Sequence, residues 1–83
     1  MKLYLLTQRQ NTGYDTFDSM VVSAPDEGTA VAINPFGETY GECDNWAHSG
    51  SWANYPDAVA CTYLGEAAEG TKTDVIISSF NAG

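Results

Sequence analysis

Apolar and polar positions follow a strand-like pattern most densely in Asp74-Val75-Ile76-Ile77-Ser78-Ser79-Phe80, the richest run of β-branched and aromatic residues in the chain. Gly70 on one side and Asn81-Ala82-Gly83 on the other bracket it with breakers. Alternation puts Val75, Ile77 and Ser79 on one face, and Asp74, Ile76, Ser78 and Phe80 on the other. A run this apolar predicts an inner or well-covered strand. Lys2 to Gln8 predicts a first strand, with Leu3 and Leu5 on one face and Tyr4 and Leu6 on the other. Both faces are apolar, which places it centrally or under cover on both sides. Thr16 to Ser23 predicts a second strand. The turn signal Asn11-Thr12-Gly13 lies between the two, and so short a link makes them an antiparallel hairpin with a polar, acidic tip. Asp57 to Leu64 predicts a third strand, with Val59, Cys61 and Tyr63 facing one way. Gly65 to Gly70 then forms a loop long enough to pair the third and final strands as a second hairpin.

Between the hairpins the period changes. Pro25 suits the first position of a helix, Ser23 or Ala24 its cap, and Asp26 and Glu27 the positive end of its dipole. Ala30, Val31 and Ile33 supply an apolar stripe, and Asn34-Pro35 ends the helix because a residue before proline avoids helical geometry. Residues 35 to 56 have no clean period. Phe36, Tyr40, Trp46, Trp52 and Tyr55 are set among glycines and asparagines, so the segment is either functional or held by its own side chains. Trp46 and Trp52 are expected to plug an open side of the core, leaving Glu38, Glu42 and Asp44 outside. The order strand, strand, helix, loop, strand, strand predicts a single α+β domain: a largely antiparallel four-stranded sheet with one short helix on one face.

Charge changes this picture more than composition does. The 83 residues, 43% of them apolar, suffice for one core. Eleven acids face three basic residues, Lys2, Arg9 and Lys72, for a net charge of −8. Most carboxylates therefore lack a cation of their own. The resulting negative field repels nucleic acid and anionic lipid and attracts basic protein surfaces. Direct nucleic-acid binding is not expected, because phosphate neutralisation needs cations. The apolar run Leu3 to Leu6 is too short for a leader or a membrane span, so a cytoplasmic protein with free Cys43 and Cys61 is expected.

Candidate chemistry is sparse. Cys43, His48 and Cys61 are residue types that bind zinc, but they do not form two close pairs, so no metal site is expected. A Cys43–His48 nucleophile lacks an orienting partner, and no glycine-rich phosphate loop precedes the helix. An enzyme is not expected, and no cofactor is called for. What remains is the distribution of acids, with Asp15 and Asp18 near the hairpin tip and Glu38, Glu42 and Asp44 in the long loop. Each alone is an ordinary solvated charge. Together they resemble the phosphate spacing that a basic groove recognises.

Three segments, Met1 to Gln8, Gly13 to Ser19 and Val75 to Gly83, resemble a set of very small proteins encoded by phages, prophages and other mobile elements. Small acidic members of that set are similar to anti-CRISPR proteins, in particular inhibitors of type I (Cascade) systems, with type I-C the first expectation. The resemblance implies a monomer in the cytoplasm of the bacterial host that binds the basic surface of a Cas subunit and blocks target-DNA recognition. It implies no individual functional residue. Asp15, Asp18, Glu38, Glu42 and Asp44 are the expected partner-binding residues on grounds of charge. The competing expectation is a non-inhibitory accessory protein that uses exposed Trp46 and Trp52 to bind another host or phage protein.

Overall fold

The structure is a computed structural model and describes residues 1–81. The breakers Ala82 and Gly83 lie outside the described residues. Four strands, β1 (Lys2–Gln8), β2 (Thr16–Ala24), β3 (Val59–Glu66) and β4 (Asp74–Asn81), form one sheet in the order β3-β1-β2-β4. Every neighbouring pair is antiparallel. One short helix, α1 (Glu27–Val31), packs against β1, β2 and β3. The α+β class, the element order and the β1–β2 hairpin are as the sequence predicts.

The central pair follows from its side chains. Tyr4, Leu6, Met20 and Val22 are buried, with Tyr4 opposite Val22 and Leu6 opposite Met20 in the ladder. Gln8 is buried at the hairpin end, where its amide closes the turn. Its Nε2 donates to the carbonyls of Asn11 and Phe17 at 2.6 and 2.8 Å, and its Oε1 accepts from the backbone N–H groups of Gln10 and Asn11 at 3.0 Å each. Four hydrogen bonds thus satisfy a buried polar side chain and fix the register.

The pairing of the last two strands differs from expectation. β3 and β4 do not form a hairpin; they lie at opposite edges of the sheet. A β1–β2 hairpin has two open edges, each a row of unpaired backbone groups. One strand on each side pairs both of those edges and places the central strands, with their buried Tyr4, Leu6, Met20 and Val22, inside the sheet, so that the open edges move out to β3 and β4. The seven-residue link from Glu66 to Asp74 passes the end of the sheet where β1 begins and β2 stops. It is tied there by Ala67 N–H donating to the Met1 carbonyl at 2.9 Å and Ser23 Oγ donating to the Lys72 carbonyl at 2.5 Å. Three strand spacings are about 14 Å, within reach of seven extended residues.

β4 is consequently an edge strand and not the covered strand that its composition suggests, with Ile77 66% exposed. Its alternation is broken as well. The register slips between Val21–Ile77 and Val22–Val75, leaving Ile76 unopposed. Val75 packs on the core beside buried Val22, while Ile77 pairs with half-buried Val21 on the uncovered face. That face also carries Leu3 and Leu5, so β1 is central but covered on one side only.

The helix starts later than expected. Asp26, not Ser23 or Ala24, is its cap: its carboxylate accepts the Thr29 N–H at 2.7 Å, and Pro25 precedes the cap. The helix stops at Val31, before Asn34-Pro35 can act as terminator. Ala30 and Ile33 are buried as the apolar stripe predicts, although Ile33 lies beyond the helix in an isolated bridge to Thr39.

Candidate functional site

The long loop is built around Asn34. This side chain is wholly buried. Its Nδ2 donates to Glu38 Oε1 and to the Trp46 carbonyl, both at 2.9 Å, and its Oδ1 accepts the N–H groups of Phe36 and Glu38 at 3.0 and 2.8 Å. An asparagine before proline turns the chain by mimicking a backbone turn with its own amide. Here it also reaches across to the second half of the loop. Trp46 closes the same knot from above, its Nε1 donating to the carbonyls of Ala32 and Glu38 at 2.9 and 3.3 Å. Trp46 is 4% exposed and Trp52 0%, so both rings are plugs, as expected. The far end of the loop joins the β1–β2 hairpin: Phe17 N–H donates to the Ser51 carbonyl at 2.8 Å, and Asn11 Nδ2 to the Trp52 carbonyl at 2.6 Å.

This scaffold sets the carboxylates of Glu38, Glu42 and Asp44 around Cys43. Burial, together with those three charges, pushes the Cys43 thiol above its ordinary value, which works against thiolate chemistry at that position. Glu42 and Asp44 are exposed. Glu38 is half-buried and tethered: His48 Nε2 lies 2.5 Å from its Oε1, and Asn34 donates to the same oxygen. The hydrogen bond from His48, then that from Asn34, holds the Glu38 carboxyl below the usual range. His48 is thereby held within the loop. It is half-buried, has a left-handed backbone with φ of 49°, and stacks on Phe36 with ring centroids 3.9 Å apart. Neither Cys43–His48 nor any other group of His, Cys, Asp and Glu among the described residues is arranged to hold a metal ion.

The five expected contact residues do not form one cluster. Glu38, Glu42 and Asp44 are brought together. Asp15 and Asp18 lie elsewhere, at the start of β2 beside the end of β4. Asp15 takes a left-handed turn with φ of 58° and its N–H donates to the Asn81 carbonyl at 2.7 Å; Asp18 occupies a slip in the β2–β4 register and accepts from Ser19 Oγ at 3.2 Å. A third acidic group was not singled out in the sequence. Asp26, Glu27 and Glu66 converge around Tyr4, where burial first, then Cys61, then these three charges raise the phenol. Tyr63 Oη donates to Glu66 at 2.6 Å beside it. Only the strand order, which brings the end of β3 beside the start of β1, makes this group visible.

Among the described residues the sole ion-pair contact is His48–Glu38; no lysine or arginine lies against a carboxylate. No helix among them is long and apolar enough to cross a membrane. No family model, no curated protein and no solved structure matches this chain.

Proposed function

We propose that this chain is a stoichiometric anti-CRISPR inhibitor that occupies the Lys/Arg-lined surface by which a type I Cascade subunit recognises target DNA. The supporting observation is the surplus of unneutralised carboxylates: eleven acids against three basic residues, with no lysine or arginine paired to a carboxylate among those described. A basic groove gains more from such a surface than from one already neutralised by its own cations. Glu42 and Asp44 are the exposed members of the loop cluster and make first contact. Glu38 stands behind them, its carboxylate fixed by Asn34 and His48. Asp15 and Asp18 form a separate anionic point at the hairpin, so the mimicry is of spaced charges, not of one continuous strip.

The test is capture of purified Cascade subunits on the immobilised protein at low and moderate salt, with a plaque assay in a CRISPR-immune host. Capture that weakens with salt, and plaques that appear only when the gene is present, are expected. Absence of capture at low salt overturns the reading, and salt-insensitive capture overturns its electrostatic basis. Burial of Trp46 and Trp52 removes the aromatic anchors on which the accessory-protein reading relied.

A further inference from the structure

Among the described residues the outer edge of β4 is open. Sheet edges present unpaired N–H and C=O groups, and proteins blunt them with lysine, proline, bulges or brevity. Both edge strands carry a register slip, β3 where it pairs with Leu3/Tyr4 and β4 at Ile76, and each has one acid at an end, Glu66 or Asp74. β4 is eight residues long, and from Val75 to Phe80 it carries neither charge nor proline. Among the described residues no strand lies along its outer side. Ile76, Ile77 and Phe80 are each about half exposed or more, at 52%, 66% and 48%. Ile77 continues onto the uncovered face, where a shallow groove runs between Leu5, Val21 and Ile77 with Ser19 and Ser79.

Charge marks both ends of this bare strand. Asp74 stands at its start, with its carboxylate accepting the Val75 N–H at 2.8 Å. Asp15 and Asp18 stand beside its finish, through the Asp15–Asn81 hydrogen bond and the Phe17–Phe80 pairing. We infer that β4 accepts an extended segment of another protein, apolar at its centre and bearing lysine or arginine at both ends, which adds to the sheet as a fifth strand. Added strands gain affinity from main-chain hydrogen bonds and specificity from alternate side chains. Here the flanking carboxylates select the basic segment. A second copy of this chain fits poorly. Antiparallel β4–β4 pairing would set Asp74 of one copy against the Asp15 and Asp18 end of the other, with Lys72 the nearest offset, between molecules that each carry −8. The inference deepens the proposed function, since it rests on the chain acting by binding a basic protein, and it adds a second contact surface to that of Glu42 and Asp44.

The full chain is titrated with three synthetic peptides, each a run of alternating valine and threonine. One is flanked by two lysines at each end, one by two glutamates, and one is lysine-flanked with a central proline. Affinity is read by fluorescence anisotropy, and backbone amide exchange by NMR. The lysine-flanked peptide is expected to bind and to slow exchange at alternate amides of β4, while the other two do not. Ile77→Lys and Ser79→Lys, both at exposed positions, are each expected to weaken binding about tenfold through like-charge repulsion while leaving Tm in place. The pair Glu42→Lys and Asp44→Lys is expected to leave peptide binding intact while abolishing Cascade capture. Equal binding of the lysine and glutamate peptides, or protection away from β4, overturns the inference. So does β4 protection that grows with protein concentration without peptide, which assigns the edge to a second copy. Peptide binding without Cascade capture overturns the proposed function and leaves the edge standing; capture without peptide binding does the reverse.

Discussion

At Asn34 a single side chain decides the course of some twenty residues, because all four of its hydrogen bonds are made inside the protein. In the sequence it reads only as a residue before proline, and nothing there names its partners, which lie up to twelve positions away. The two tryptophans offer a sharper comparison. Both are buried, but Trp46 donates to two carbonyls, while Trp52 Nε1 has no hydrogen-bond partner. Trp46→Phe is therefore expected to destabilise by about 1 kcal/mol more than Trp52→Phe, since only the first removes side-chain hydrogen bonds made in the folded protein; urea denaturation of the two variants measures the difference. Glu38 gives the pH dependence. Its folded value is depressed below the ordinary 4.5 by the bonds from His48 and Asn34, so its stabilisation is complete above 4.5 and is lost as the pH falls through the depressed value. Glu38→Gln is expected to flatten the acid side of a Tm-against-pH curve and to change its shape little near neutrality.

Elements were legible where local chemistry suffices and illegible where pairing decides. The bounds of β1 and the start of β2 follow from alternation alone, and the hairpin between them from a short polar link. The cap of α1 does not: Pro25 read as the first helical position points to Ser23 or Ala24, whereas Asp26 after it accepts the Thr29 N–H. Ser23 is instead drawn into the sheet, its hydroxyl held by the Lys72 carbonyl. Asp26→Ala is expected to cost about 1 kcal/mol, with a loss of helical signal, because a five-residue helix has no internal reserve; circular dichroism with urea titration tests it. β4 starts at Asp74 as its pattern indicates but runs on through Asn81, which reads as a breaker, and its surroundings differ from those its composition suggests. An apolar run reports β-propensity, but it does not say whether a neighbour will cover it.

For the molecule as a whole, net charge sets the response to solvent. With −8 distributed over 83 residues and no lysine or arginine ion-paired to a carboxylate among those described, folding brings like charges together with little local compensation. Raising NaCl from about 0.01 M to about 1 M shortens the screening length from about 30 to about 3 Å, and is expected to raise Tm. A Tm that falls or stays level would mean that the acids are spaced too widely to repel. The same screening is expected to weaken capture of a basic partner, so stability and binding should move in opposite directions with salt.

The residue string by itself determined the α+β class, the central hairpin and the sign of the surface field. Each of these depends on nearest neighbours or on composition. Tertiary structure alone decided that β3 and β4 part to opposite edges, that Glu38, Glu42 and Asp44 gather while Asp15 and Asp18 stand apart, and that β4 is left bare. The reason is common to all three. Which strand satisfies an open row of backbone groups depends on contacts between segments dozens of positions apart, and periodicity carries no information about them.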